Sequence, residues 1–372
     1  MPGTPRRAPG RRNGGRAYGR HSRSTTGAGS TMRTTRHRLA TAAAVLVLVC
    51  GPAATGCSEE SGGGRRVGVV VPFLTSPFWE AYERDIPRQA AKVGVRVLPT
   101  VNSNNDASRQ VSDIRNLLAQ NIDGLVVSPI DSAAIVTGLR AAQRRRVPVV
   151  AVDVAPDRGK VAIVVRADNR AYGEKACRSL GRAVRRGKVV QIEGDLASVN
   201  GRDRTAAFDQ CMRRHYPHIR VLDIAAGWQA DKAAAGLEAL YSANPDIKGI
   251  YLQAGGVYLA PTLRTLQRHR ALRPRGRRGH IAIVSNDGIP QELDAIRKGW
   301  IDATVSQPTD LYARYAMVYI KQAMAGRPFR KGRTDHGSRI VEVREGILED
   351  QLPAPLVTPA NVNDPALWGN RG

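Results

Sequence analysis

The chain has 372 residues, 42% of them hydrophobic, enough apolar side chain to bury a sizeable core and too much for a wholly disordered protein. Its 57 basic and 32 acidic residues give a formal net charge of +25, but residues 1–57 hold ten arginines and no acid, leaving +15 beyond them. Arginines outnumber lysines 48 to nine, and their clusters at 144–146, 185–186 and 273–278 sit at expected helix or loop ends without interleaved aromatics, which excludes a nucleic-acid-binding protein.

From the N-terminus, residues 1–31 are rich in Arg, Gly and Ser and lack apolar periodicity; they read as a mis-assigned or disordered extension ahead of the expected start at Met32. Residues 32–57 run from a basic head through an apolar stretch at 39–49 to small residues before Cys57, the layout of a bacterial secretion signal. The ATGC at 54–57 resembles a lipobox, in which the cysteine is lipidated and becomes the mature N-terminus, with Ala54 where leucine is usual. The apolar run is too short for a permanent bilayer span. An uncleaved anchor helix is the alternative, and either reading places the rest of the chain outside the cytoplasm. Residues 58–66, Gly- and Ser-rich, read as a flexible linker.

Short β-branched runs then alternate with amphipathic stretches. Strands are expected at 67–71, 95–99, 124–128 and 147–153, with helices at 78–93, 105–120 and 132–145 between them. A second series has strands at 188–193, 221–225, 249–253, 281–286 and 303–306, and helices at 172–184, 202–215, 231–243, 257–269 and 289–298. Near-continuous apolar strands separated by helices predict parallel sheets covered on both faces. The chain is therefore read as α/β, two doubly wound parallel-sheet lobes joined near 165–169 and 307–308, with a ligand cleft where the strand C-termini meet. A further helix at 311–324 is assigned to the first lobe and a strand at 339–343 follows it. The expected boundaries are 67–167 plus 308–336 for the first lobe, 168–307 plus 337–350 for the second, and 351–372 as a tail.

Four cysteines show no CxxC or Cys/His spacing, so neither a zinc site nor a disulfide scaffold is implied. Cys50 leaves with the signal and Cys57 takes the lipid. Cys177 and Cys211 fall on expected helices of the same lobe and would pair in an oxidising compartment if those helices are neighbours; two separately buried thiols are the alternative.

Candidate ligand groups stand at the strand ends. Phe78 and Trp79 open a helix after the first strand, and Asp153 ends the fourth. In the second lobe Arg202 opens a helix, Trp228 follows a strand, and Asp287 and Gln307 end two more. Aromatic faces, carboxylates and a guanidinium together suit a sugar: rings take its C–H faces, Asp accepts hydroxyl protons, and Arg or Gln donates to its oxygens. Each residue also has a plain structural use: an aromatic plugging the core, an aspartate capping a turn, an arginine on a helix surface.

In order and spacing the chain resembles the periplasmic sugar-binding proteins of the ribose-binding type, solute receptors of ABC importers with a LacI-like core and the periplasmic-binding-protein type I fold. The resemblance runs from Arg65 to about Asp364 through VGVVVP at 67–72, SPFW at 76–79, GLVVSP at 124–129, VPVVAVD at 147–153, ADN at 167–169, RDRTAAF at 202–208, NDG at 286–288, ATVSQ at 303–307 and VTPANVND at 357–364. It implies that Phe78 or Trp79 and Trp228 cover the two ligand faces, with Asp153, Arg202, Asp287 and Gln307 as polar contacts. Val154 stands where an arginine would be expected, and Ala254-Gly255 follows Gln253 where Asn and Asp are usual. Buried ribose hydroxyls would go unpaired there, so ribose itself is not expected.

The implied function is an extracytoplasmic solute-binding lipoprotein, tethered by lipid on Cys57 to the outer face of the cell membrane. It would deliver a sugar or polyol to the transmembrane subunits of an ABC permease, as a monomer, with no cofactor and no metal. The alternative is a receptor that passes a ligand signal to a membrane kinase. An enzyme is not expected: no Gly-rich phosphate loop follows the first strand, and in a two-lobe fold Asp153 and Asp287 read as a binding pair rather than as a glycosidase pair.

Overall fold

The computed structural model describes residues 64–371; the secretion signal, Cys57 and most of the linker expected at 58–66 lie outside the described residues. The first lobe begins with β1 (Arg66–Val71), whose valines are buried on both faces. Helix α1 (Pro77–Val93) follows, capped by the Ser76 hydroxyl, which accepts from the Phe78 amide, and ended by Gly94 in the left-handed region. Then come β2 (Arg96–Val97), β3 (Val101–Asn102), α2 (Ala107–Ala119), β4 (Gly124–Val127), α3 (Val136–Arg144), β5 (Val149–Val152) and β6 (Ile163–Ala167). The last of these strands was not expected as a separate element.

The second lobe alternates α4 (Asn169–Val184), β7 (Gly187–Glu193), α5 (Val199–His215), β8 (Ile219–Ala225), α6 (Ala230–Ala243), β9 (Ile247–Leu252), α7 (Gly255–Arg268), β10 (Ala282–Asp287), α8 (Pro290–Arg297) and β11 (Ala303–Ser306). The chain returns through α9 (Thr309–Met324), β12 (Gly332–Arg333), β13 (Arg339–Arg344) and β14 (Ile347–Leu352), then crosses once more to β15 (Leu356–Val357).

The first sheet has the order β12-β13-β14-β6-β5-β4-β1-β2, with β3 also on β1; the second is β15-β11-β10-β9-β7-β8. Pairing is parallel except along β12-β13-β14 and between β11 and β15. Each sheet has a helical layer on both faces. Val67, Val69 and Val71 pack towards α1 and α9, while Val70 packs with Ile114, Leu117 and Leu139 of α2 and α3.

The expected fold class is therefore the one found, but residues 337–350 were assigned to the wrong sheet. β13 and β14 extend the first sheet, where Glu349 of β14 accepts from the buried Arg166 of β6 at 3.2 Å. The expected tail also crosses the molecule: β15 edges the second sheet, and Trp368 packs on Phe78 and donates through its indole N–H to the Asp287 carbonyl at 3.1 Å. The chain thus passes between the sheets at 167–168, at 307–308 and at 353–355. In the second lobe, Cys177 of α4 and Cys211 of α5 form a disulfide.

Candidate functional site

The C-terminal ends of both sheets face one cavity, the place where doubly wound folds bind their ligands. Phe78, Trp79, Asp153, Trp228, Asp287 and Gln307 all line it. Three of these six leave their strands in a backbone conformation that non-glycine residues rarely adopt, with φ 63° at Asp153, 60° at Trp228 and 114° at Asp287. Such positions cost about 1–3 kcal/mol each and persist only where the surrounding structure holds them.

Arg202 is not brought to the cavity. Helix α5 begins at Val199, capped by the Ser198 hydroxyl, so residues 200 and 204 share the inward face and 202 turns away. Its guanidinium instead bonds the Leu196 and Ala197 carbonyls and, across the lobes, Asp157 at 2.5 Å. The cation in the cavity is Arg204, only 3% exposed. It donates to Asn169 Oδ1 at 2.6 Å, to Gln307 Oε1 at 2.8 Å and to the Gln253 carbonyl, and it lies 5.0 Å from the Tyr172 ring and 5.6 Å from that of Trp228. Asn200, also unanticipated, is buried one turn earlier, and its Oδ1 has no partner among the described residues. The signal was present in sequence as an Asn and an Arg four residues apart; it depended on starting the helix three residues earlier.

Gln307 Nε2 donates to Asp153 Oδ1 at 2.9 Å, so Gln307 joins Asp153 of the first lobe to Arg204 of the second. Asp287 Oδ2 accepts from the Gly256 amide at 2.8 Å. Trp228 is fixed by its amide, which donates to the Tyr258 hydroxyl at 2.7 Å, and by Gly194, where any Cβ would overlap the indole ring.

Burial raises the Asp153 carboxyl above the ordinary range, against the pull of Arg204 and Arg166. Burial also pushes Asp287 up to about 7, and burial together with the Asp287 charge pushes Glu292 up to about 8. Glu292 accepts from the Gly288 and Ile289 amides and from the Thr304 hydroxyl. Folding therefore takes up protons at this pair. The stability it contributes is full below the unfolded carboxylate range near 4 and is lost as pH rises through 7 to 8. The unliganded protein is expected to melt at falling temperature from pH 5 to 8, with a flatter profile in Asp287→Asn. Parallel profiles for the two proteins would contradict this assignment.

The fold has counterparts among known proteins. The periplasmic binding protein domain matches residues 67–328. A protein named ribose import binding protein from Bacillus subtilis is 28% identical over 270 residues, covering 71% of this chain and 83% of its own length. An ABC transporter solute-binding protein from Mycobacterium smegmatis, solved with glycerol, superimposes with a TM-score of 0.70 at 23% identity, covering 81% of this chain and 96% of that one. The fructose-binding periplasmic domain of a hybrid two-component system superimposes with a TM-score of 0.68 at 19% identity, over 80% and 92% of the two chains.

Proposed function

The chain belongs to the periplasmic binding protein domain family, and from that premise we propose that it captures a sugar or sugar-like solute between its lobes and delivers it to an ABC-type permease. The family binds solutes and does not transform them, so Asp153 and Asp287 act as binding groups and the protein is not an enzyme. The observation that carries the sugar reading is the hydrogen-bonded chain of Asp153, Gln307 and Arg204, with Asn200 and Asp287 buried in the same cavity beside the rings of Trp79 and Trp228. Ligand hydroxyls donate to the two carboxylates and to Asn200 Oδ1 and accept from Arg204, while a C–H face lies on indole.

Ligand that contacts both lobes favours their closed arrangement by its differential affinity for it. Closure is also supported at the rim, where the Ser132 hydroxyl accepts from the Val199 amide at 3.0 Å and Arg202 pairs with Asp157. Both partners of that ion pair are about one-third exposed, which limits it to about 1 kcal/mol. Arg202→Ala is expected to weaken ligand binding by up to about fivefold and to flatten its salt dependence. An affinity loss above fiftyfold would instead place Arg202 on the ligand.

Support for import comes from the Bacillus subtilis relative, named for ribose import. The sensor-domain neighbour supports the alternative, a receptor that signals to a membrane kinase. Reconstitution with candidate permease and ATPase subunits separates them: stimulation of ATP hydrolysis by the liganded protein is expected for import, and its absence with ligand bound favours sensing. The proposed lipid anchor on Cys57 predicts that Cys57→Ser moves the protein from the membrane fraction to the soluble one; unchanged membrane association would count against it.

A further inference from the structure

The end of the first sheet remote from the cavity carries a second groove. Strands β1, β4, β5 and β6 are parallel neighbours, so their N-terminal ends lie together. Arg65 precedes β1, Arg146 precedes β5, Lys160 precedes β6 and Arg327 follows α9; all four are exposed and line the groove. None of the four forms an ion pair among the described residues, and Asp123, the one acid in the lining, accepts from the Arg66 amide at 2.6 Å. Gln143 is the one other polar side chain that lines it. Val147, Pro148, Met324, Phe329 and Leu348 line it too, and these are half-buried. Phe329 is held edge-on against Tyr319, with ring centroids 5.2 Å apart.

Exposed cations around half-buried apolar side chains suit an amphiphilic anion, whose charge stands beside an apolar body. A free phosphate would leave the apolar residues unused. The chain also reaches this groove directly from Cys57: Arg65 is eight residues on, at most about 30 Å of extended chain. Lipid on Cys57, as proposed above, would therefore keep the groove beside the bilayer. We propose that the groove rests on an anionic phospholipid surface, its four cations on headgroup phosphates and its apolar residues against the glycerol and upper acyl region. The cavity lies at the opposite, C-terminal ends of the same strands, so this contact leaves it clear of the lipid. Each Lys or Arg adds a weak attraction that salt screens. The contact thus orients a protein that the lipid holds and does not anchor it alone.

The test is co-sedimentation with vesicles, using residues 58–372, which lack Cys57; the chain from Glu60 onward is one compact unit with both lobes and their cores. Binding is expected at low ionic strength to vesicles containing one-third phosphatidylglycerol and not to pure phosphatidylcholine. It is expected to fall at least about tenfold on going to about 0.15 M salt. The triple variant Arg146→Gln, Lys160→Gln, Arg327→Gln is expected to lose at least about tenfold in binding. The triple variant Arg275→Gln, Arg277→Gln, Arg278→Gln removes the same charge from an exposed loop of the second lobe and is expected to lose less than about threefold. Melting temperatures equal to the parent's establish that both variants are folded. Equal losses in the two variants overturn the proposal, because net charge alone would then drive binding. No binding to the anionic vesicles overturns it as well. So does complete displacement by inorganic phosphate at matched ionic strength, which would make the groove a free-anion site. Each of these failures leaves the sugar reading standing.

Discussion

Arg204→Ala is expected to weaken ligand binding at least 100-fold while Arg202→Ala, two residues away, stays within about fivefold. The difference follows from what each guanidinium touches. Arg202 sits at a partly exposed rim, whereas Arg204 is buried and bonds Asn169, Gln253 and Gln307 simultaneously. Truncating one partner of a buried charged network costs about 3–5 kcal/mol, and each 1.4 kcal/mol is tenfold in affinity. A second effect adds to the first: Arg204 restrains the upward shifts of both Asp153 and Asp287, so its removal leaves those carboxyls protonated closer to neutral pH and poorer as acceptors. Arg204→Lys is not expected to restore binding, because a single ammonium cannot serve three acceptors spread around a planar fork. Calorimetry on folded variants checks this. Near-wild-type affinity in Arg204→Ala would remove the residue from the site.

The second large effect is on stability. The disulfide joins α4 to α5 across 34 residues, and closing a loop of that length restricts the unfolded chain by about 3–4 kcal/mol in the loop-entropy description. The Cys177→Ala, Cys211→Ala double variant is expected to unfold at correspondingly lower denaturant concentration, with binding retained once it is folded. The same two helices carry Asn169, Asn200 and Arg204, so the bond holds the platform from which the cavity cation projects. Equal midpoints for the wild type and the double variant would show that this platform is held by packing alone.

Much of the fold was legible because its signals are local. The runs at 67–71 and 124–128 could only be strands buried on both faces, and the residues at their ends fell where a two-lobe α/β molecule places its ligand. What escaped was set by longer-range facts. The sequence places Arg202 at the start of a helix at 202–215, whereas α5 starts at Val199 behind the Ser198 cap and brings Arg204 to the cavity. The β13–β14 hairpin was placed in the wrong lobe because its partner, β6, lies some 180 residues away, and the buried Arg166–Glu349 pair that joins them has no pattern in sequence. Trp368 lay in a Pro- and Gly-punctuated segment that read as a tail, yet it anchors the backbone beneath Asp287. Val154 and Ala254 are legible in the sequence as departures from the ribose pattern, and both line the cavity.

In the proposed function, buried side chains drawn from both lobes hold one sugar between them. This is tested most directly by titrating a panel of monosaccharides and polyols into the purified protein and into Trp228→Ala, in parallel, by calorimetry. Saturable one-to-one binding of a single sugar class is expected, with a negative heat-capacity change, and it is lost when the indole is removed. Binding of equal strength in both proteins, or no heat with any member of the panel, would contradict it.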